Sequence, residues 1–477
     1  PNGDAKKKII LITATPLNNK PEDIRNQLLL FQDGRDSTLE VGDLIAFFRP
    51  LIDEYNRLKR LHNEEEIKDG IHEVYKEIRE KILKSVIVRR TRTDILATEE
   101  YKEDIRKQGL IFPKIAPPRQ VLYQLNPFLD ELYNHTFGLI RDINSGLKYY
   151  RYQAIGYLKP EHRKEYNRAE HVSILLAGIM KTLLVKRIDS SFHAFKISLK
   201  RYQERNAAMI SMFDNDRIYI APKLNVSEYI NADQEQELVA LIEALDDEKR
   251  KDIRVFHRED FEEGFYEGLC QDQEILDGLV NQWDKITQDP KLDALLEKIN
   301  SELFEPAINR EQKLVIFSES ADTTLYLKDR LEEATSYKVL GIHSNNLTDH
   351  SESIAKNFDA NYPIADPVQE YDIIITTEVL AEGVNLHRAN MILNYDIPWN
   401  ATRLMQRIGR VNRVGSKAPI VYIYNFFPTA QADSDIELNK KAFIKVQGFH
   451  AALGEDSQIY SEKEEFNTFG LFEKVPE

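Results

Sequence analysis

Residues 373–413 restrict the fold more than any other part of this 477-residue chain, and they read IIITTEVLAEGVNLHRANMILNYDIPWNATRLMQRIGRVNR. Two short runs of apolar and β-branched side chains, at 373–377 and 391–395, are typical of buried strands. Between them, Gly383 and Asn385 indicate a turn where the backbone must approach another group closely. The stretch therefore predicts two buried strands joined by a turn of special backbone geometry.

Three arginines follow the second of these strands. Arg407, Arg410 and Arg413 are spaced by three, so on a helix they would share roughly one face. Guanidinium groups on one face repel each other unless an anion lies opposite, and arginine suits bidentate binding of phosphate. A solvated basic helix is the alternative. The two strands and the glycine turn just before the arginines favour a phosphate site.

Short strands and helices alternate over the last part of the chain. Residues 289–300 and 323–334 have the periodicity of helices, whereas residues 314–317, 339–342 and 419–427 are short apolar runs. Strands that alternate with helices through short connections predict a parallel, doubly wound α/β sheet.

The wording Q-R-x-G-R-x-x-R, preceded by D-x-P-W-N, resembles motifs V and VI of superfamily 2 helicases, and most closely those of bacterial Swi/Snf-type translocases. Further similarities occur in the expected order. The T-A-T-P at 13–16 resembles motif III, Phe317-Ser318 resembles motif IV, and KRIDSS at 186–191 resembles a segment of the bacterial members. The resemblance covers about three quarters of the chain.

The resemblance implies an α/β fold with a RecA-like parallel doubly wound sheet, a largely helical insertion and a partial first lobe. Residues 1–125 would be the C-terminal part of the first RecA-like lobe with a helical excursion. Residues 126–288 would be the insertion. Residues 289–477 would be the second RecA-like lobe, the helicase C-terminal domain, with a helical tail. Aromatic side chains of the insertion could stack on bases, but core packing is the favoured alternative. They are Tyr149, Tyr150, Tyr152, Tyr157, Phe192 and Phe195.

The same resemblance implies three groups of site residues. The arginine fingers, which would neutralise charge on the γ-phosphate, are Arg410 and Arg413. Residues that would bind ATP or couple the two lobes are Gln406, Arg407, Glu382, Gly383 and Asn385. Residues that would line a nucleic-acid track without reading its sequence are Ser318, His343, Thr376, Thr377, Thr13 and Thr15. Glu382 departs from the Gly-x-Gly wording that is more common at this position in the family.

The sequence lacks half of a helicase motor. It holds no G-x-x-x-x-G-K-[ST] loop to cradle phosphates and no D-E-x-H or D-E-x-D to hold magnesium. We expect a C-terminal portion of a longer polypeptide, or a protein that receives the N-terminal motor half from a partner chain. ATP and Mg²⁺ would then belong to the complete protein, and this chain alone would bind neither and be inactive. A degenerate, non-hydrolysing lobe is the third alternative.

Composition sets outer limits on function. The single cysteine excludes an internal disulfide and a cysteine-based zinc site, and the histidines show no metal-ligand spacing. No apolar run reaches the roughly 18 residues that are needed to cross a membrane. The net charge of −15 opposes a broadly basic surface but not a local basic cleft. Within these limits, the resemblance to Swi/Snf-type translocases implies a cytoplasmic, nucleoid-associated bacterial ATP-dependent motor acting on double-stranded DNA. The alternatives are a non-hydrolysing nucleic-acid or protein scaffold and an RNA-directed helicase.

Overall fold

The computed structural model describes residues 9–11, 20–61, 64–88, 92–141, 145–164, 169–220, 254–363, 368–398 and 401–427. These residues divide into two compact units. The first unit contains the described residues up to Leu122 and from Ala294 to Phe427, and the second contains those from Tyr123 to Asp293.

The regular elements are as follows. The strands are β1 (Lys114–Ile115), β2 (Arg119–Val121), β3 (Ile218–Ile220), β4 (Arg254–Phe256), β5 (Leu314–Phe317), β6 (Val339–Ile342), β7 (Ile373–Thr376), β8 (Met391–Asn394) and β9 (Ile420–Phe426). The α-helices are α1 (Pro21–Leu28), α2 (Leu44–Leu58), α3 (Glu64–Ile78), α4 (Lys84–Val86), α5 (Arg92–Ala97), α6 (Glu99–Lys107), α7 (Pro127–Arg141), α8 (Pro160–Arg163), α9 (Ala169–Ser190), α10 (Phe192–Asp214), α11 (Phe265–Trp283), α12 (Pro290–Lys298), α13 (Ala321–Ala334), α14 (Leu347–Phe358) and α15 (Ala401–Val411). Shorter π and 3₁₀ turns lie at Arg79–Leu83, Tyr150–Tyr157, Arg258–Asp260, Ile299–Leu303 and Glu378–Leu380.

A parallel sheet organises the first unit. Its central strands run in the order β6-β7-β5-β8-β9, and every neighbouring pair is parallel. From β5 the chain winds first to one side of the sheet, to β6 and β7, and then to the other side, to β8 and β9. This reversal defines a doubly wound sheet with a switch point at the carboxyl ends of the central strands. The predicted fold class is confirmed.

The central strands are continuous apolar runs because both of their faces are covered. All four residues of β5, β7 and β8 are buried, which is the pattern expected when helices pack on both sides of a parallel sheet. The register pairs Leu314 with Ile373 on one side and with Met391 on the other. The strand ends therefore lie level with one another, and the residues that follow them gather at one edge of the sheet.

The strands before the predicted insertion join the same sheet. Both β1 and β2 pair in parallel with β9, with Lys114 opposite Ile420 and Arg119 opposite Tyr424. The unit boundaries at Leu122 and Ala294 lie close to the predicted limits of the insertion, 126 and 288. The assignment of residues 1–125 to a separate first lobe stays a prediction, since in this structure their last strands extend the sheet of the second.

The second unit is mostly helical. Phe192 and Phe195 at the start of α10 each pack against Trp283 of α11, with ring centroids 5.0 Å apart. Tyr149, Phe192 and Phe195 are buried, and the ring of Tyr157 lies 5.0 Å from that of Phe265. Core packing is therefore the role of these aromatic side chains here, rather than a face open to bases.

The two ends of the chain are described only in part by the structure. The sequence IILITATP at 9–16 predicts a buried strand. This prediction is wrong for its described residues, since Ile10 is 82% exposed and residues 9–11 have no strand pairing with any described residue. Thr13, Thr15 and the predicted helical tail from residue 428 lie outside the described residues. None of the described helices is long and apolar enough to cross a membrane.

Candidate functional site

The carboxyl ends of β5, β7 and β8 form the crevice where doubly wound sheets bind their ligands. Phe317, Thr376 and Asn394 are the last residues of these strands and lie level in the register. The turn after β7 carries Glu378 and leads to Gly383. Helix α15 carries three of the predicted site residues back to this edge, namely Gln406, Arg407 and Arg410.

Arg407 lies buried beneath the ends of these strands. Its side chain is fully buried, and its Nε donates to Oε1 of Glu378 at 2.7 Å. One terminal nitrogen, Nη1, donates to the backbone oxygen of Asp396 at 2.7 Å and to Oδ1 of Asn394 at 3.1 Å. The guanidinium also lies over the ring of Phe317, 5.1 Å from its centroid.

The predicted role of Arg407 in binding ATP or coupling the lobes stays a prediction. In this structure the anion opposite its guanidinium is a carboxylate of the same chain. Removing a charge from water is costly unless it is paired and hydrogen-bonded, and Glu378, Asn394 and Asp396 together meet that requirement. Arg407 ties the ends of β7 and β8 together.

Arg410 lies one helical turn further along and has very different surroundings. It is half-buried, and its two contacts are long ones to backbone oxygens, 3.4 Å to Gln406 and 3.5 Å to Val384. Among the described residues it forms no ion pair. Burial lowers the pKa of Arg410, the charge of Arg413 adds to that effect, and Glu382 opposes it. Arginine remains protonated in proteins, so the Arg410 guanidinium is a cation. Its contacts with described residues do not neutralise its charge.

Arg413 does not lie on the predicted helix. Helix α15 ends at Val411, and Arg413 follows in the turn, where its Nε donates to the Gly409 oxygen at 3.2 Å. Its Nη1 donates to Oδ1 of Asn385. The charge of Arg413 contributes to lowering the pKa of Arg410, so the two predicted finger residues lie near each other.

The predicted coupling residues also meet. Nε2 of Gln406 donates to Oε1 of Glu382 at 2.9 Å, and the backbone N–H of Leu386 donates to the Arg410 oxygen at 3.0 Å. Gly383 has a φ of +78°, in the left-handed region that favours glycine. The turn after β7 is thus held against α15 by contacts on both sides of Gly383.

The predicted track residues divide into two kinds. Ser318 and Thr376 are fully buried, and their hydroxyls are used internally, by Thr324 at 2.8 Å and by the Thr377 oxygen at 3.0 Å. The track role of Ser318 and Thr376 stays a prediction, and in this structure both hydroxyls have internal partners. His343 and Thr377 are half-buried and stay predicted track residues.

Three site residues were missed by the sequence-based reasoning. Glu378 neutralises Arg407, Asp359 accepts from Asn385 at 3.0 Å, and His387 lies buried beside Asp359. Glu378 had a weak signal, since it directly follows the T-T at the end of a predicted strand. Among the described residues no group of three or more histidine, cysteine or carboxylate side chains is placed to hold a metal ion.

The chain is similar in sequence to known helicases and to proteins related to them. Residues 291–415 match the family model described as helicase conserved C-terminal domain. The chain is 27% identical over 200 residues to an uncharacterized ATP-dependent helicase, YqhH, of Bacillus subtilis, a match that covers 42% of this chain. It is 30% identical over 145 residues, 30% of this chain, to the RNA polymerase-associated protein RapA of Vibrio cholerae.

These matches cover only part of each relative, 32% of the length of YqhH and 14% of that of RapA. Among solved structures, the Pyrococcus furiosus Hef helicase domain is similar to this chain at 14% identity and a TM-score of 0.36. That similarity covers 88% of this chain and 77% of the Hef chain.

Proposed function

We propose that this chain supplies one half of the ATP site of a nucleic-acid motor, because residues 291–415 match the family model described as helicase conserved C-terminal domain. The motor would be a Swi/Snf-type translocase on double-stranded DNA, acting in the bacterial cytoplasm at the nucleoid. Arg410 and Arg413 would be its arginine fingers.

The surroundings of Arg410 carry the proposal. Of the three arginines, Arg407 has an internal carboxylate and Arg413 has an amide oxygen, whereas the contacts of Arg410 with described residues are long ones to backbone oxygens. A half-buried cation beside a second cation is stabilised by an incoming anion. The γ-phosphate of a nucleotide is an anion of this kind, and charge develops on it during transfer.

The residues of this chain would act on the nucleotide in two ways. Arg410 and Arg413 would neutralise the charge that develops on the γ-phosphate oxygens. Gln406 and Glu382, joined by a 2.9 Å hydrogen bond, would transmit lobe closure to the turn after β7. The phosphate loop and the residues that hold Mg²⁺ would come from another part of the protein or from a partner chain, since this sequence holds neither motif. ATP bound there supplies the free energy of the motor.

The track is proposed from the sequence wording and from the kind of relatives found. D-x-P-W-N and Q-R-x-G-R are nearest the Swi/Snf type, and the match to RapA, a protein named for its association with RNA polymerase, is compatible with a DNA track. His343 and Thr377 at strand ends would contact backbone phosphates without reading sequence.

Phosphate release by the complete protein tests the proposal. Rates are measured with no nucleic acid, with duplex DNA, with single-stranded DNA and with RNA, at one stated salt concentration because phosphate contacts are salt-dependent. We expect duplex DNA to give the largest stimulation. Stimulation by RNA alone would make the protein an RNA-directed helicase, and no hydrolysis under any condition would leave a scaffold built on a motor-derived fold. Either outcome contradicts the proposal.

A further inference from the structure

Asp359, which follows α14, is joined to Arg413 through one intervening side chain. Oδ2 of Asp359 accepts from Nδ2 of Asn385 at 3.0 Å, and Oδ1 of Asn385 accepts from Nη1 of Arg413. The second oxygen of Asp359, Oδ1, accepts from the backbone N–H of Asn361 at 2.9 Å. The carboxylate therefore receives two donors, one on each oxygen.

This arrangement fixes which way the Asn385 amide faces. An ionised carboxylate only accepts hydrogen bonds, and a guanidinium only donates them. If the Asn385 amide were turned over, its NH₂ would face the Arg413 guanidinium and its oxygen would face the Asp359 carboxylate, so both contacts would be repulsive. The observed orientation is the one in which the Asn385 oxygen faces Arg413.

A buried histidine keeps Asp359 available for this role. His387 is 1% exposed, and its Nδ1 lies 3.6 Å from Oδ1 of Asp359, beyond hydrogen-bonding distance. Neither ring nitrogen has a hydrogen-bond partner among the described residues. Burial lowers the pKa of His387, and the charges of Arg413 and Lys417 act in the same direction, while Asp359 acts against them. A neutral His387 places no competing charge against the carboxylate.

We propose that Asp359 is a positioning residue for Arg413, acting by fixing the orientation of the Asn385 amide so that its oxygen holds the guanidinium. This inference rests on the proposed function, in which Arg413 acts on the γ-phosphate. The arrangement directs the guanidinium before nucleotide binds. A finger held in this way needs less reorganisation when the two motor lobes close.

The substitution Asp359→Asn removes the fixed orientation while keeping the size of the side chain. An amide at 359 has one oxygen that can accept a hydrogen bond. Two donors compete for that oxygen, the Asn361 N–H and the Asn385 NH₂. If the oxygen serves Asn361, the NH₂ at 359 turns the Asn385 amide over and points a donor at Arg413. We expect a fall in kcat of roughly 10- to 100-fold, with little change in KM for ATP.

A second substitution restores the contact by reversing its polarity. In the double variant Asp359→Asn, Asn385→Asp, the amide at 359 donates to a carboxylate at 385, which then accepts from Arg413. The Asn361 N–H keeps its acceptor. We expect the double variant to recover most of the lost kcat. A purely structural role for Asp359 would give no such recovery.

The experiment uses the complete protein and two readouts. The first is kcat and KM for ATP in wild type, in Asp359→Asn and in the double variant, with Asp372→Asn as the matched control. Asp372 also accepts a backbone N–H, that of Lys338 at 2.9 Å, but lies before β7, at the other edge of the sheet. We expect the Asp372→Asn control to retain the wild-type kcat.

The second readout requires no catalysis. It is the Nη–H NMR signal of the Arg413 guanidinium, whose Nη1 donates to Asn385, assigned by its loss in Arg413→Lys. We expect a sharp, slowly exchanging signal in wild type and in the double variant, and a broadened one in Asp359→Asn. If Asp359→Asn does not fold, the double variant decides on both readouts. An unchanged Arg413 signal or kcat in Asp359→Asn, or no recovery in the double variant, overturns the inference. Absence of hydrolysis in wild type contradicts the proposed function, and the NMR signals then decide the positioning role alone.

Discussion

The buried guanidinium of Arg407 is paired with the carboxylate of Glu378 at the carboxyl edge of the sheet, with Nε and Oε1 2.7 Å apart. In a doubly wound sheet this edge is where ligands enter. Here the chain closes the centre of the crevice with its own ion pair. Arg410 lies one helical turn further along α15, where its contacts with described residues are long ones to backbone oxygens.

Replacing Arg407 by Ala should destabilise the first unit strongly, because the Glu378 carboxylate and the Asn394 and Asp396 oxygens lose their common donor. Removing one partner of a buried ion pair typically costs about 3–5 kcal/mol. Urea unfolding of the purified chain measures the change in the free energy of unfolding. Arg330 is the matched control, since its pair with Glu333 is exposed on α13 and should contribute about 0–1 kcal/mol. Equal losses for the two variants would refute a structural role for Arg407.

The sheet could be predicted from sequence, because a strand that is buried on both faces is a continuous apolar run and can be recognised from its own residues. The predicted runs at 314–317, 373–377 and 391–395 need only their own residues to be recognised, and the structure has strands at 314–317, 373–376 and 391–394. The separate environments of Arg407 and Arg410 could not be predicted. Both occur at the same spacing in one motif. Their difference comes from Glu378 and Asn394, which only the folded chain brings next to Arg407.

The hydroxyl residues at the strand ends show a second limit of this kind. A serine or threonine after a parallel strand predicts a side chain at the ligand edge, and Ser318 and Thr376 do lie there. Their hydroxyls point inward because Thr324, Ser320 and Thr377 offer internal partners. Position along the strand was predictable, whereas the direction of the hydroxyl depended on which polar group lay nearest after folding.

Gly383 should resist substitution for a conformational reason. An added Cβ would meet no atom within 4 Å, but a φ of +78° is strained for any L side chain. Gly383→Ala should therefore lower the free energy of unfolding by about 1–2 kcal/mol. Gly409 is the matched control, since it lies in α15 with equally open space and a helical backbone. Gly409→Ala should stabilise the chain by about 0.5–1 kcal/mol. Changes of the same sign for both glycines, measured by urea unfolding, would show that the backbone angle is not the cause.

Lys313, the residue before β5, should make stability depend on pH in the alkaline range. It is fully buried, and burial, with help from the charge of Arg388, lowers its pKa to about 8. The unfolded chain keeps this proton up to a pH of about 10.4. Between the two values the unfolded state binds more protons than the folded state, so this residue raises the free energy of unfolding as pH rises, by at most about 1.4 kcal/mol per pH unit.

The measurement is a series of urea unfolding curves between pH of about 7 and 10 for wild type and for Lys313→Met. The methionine variant keeps the length of the side chain and removes the titrating group. The difference between the two free energies should change in favour of wild type as pH rises above about 8. A difference that stays constant over this range would mean that Lys313 is not titrating in the folded state.

Steady-state ATP turnover by the complete protein, measured for wild type, Arg410→Ala, Arg413→Ala and the surface control Arg330→Ala, tests the central claim most directly. We predict that Arg410→Ala and Arg413→Ala each lose roughly 10³-fold or more in kcat, since arginine fingers contribute on that order. Duplex DNA binding, followed by fluorescence anisotropy, should stay close to the wild-type value, and Arg330→Ala should match wild type in both assays. Turnover that survives in both Arg410→Ala and Arg413→Ala would contradict the finger assignment.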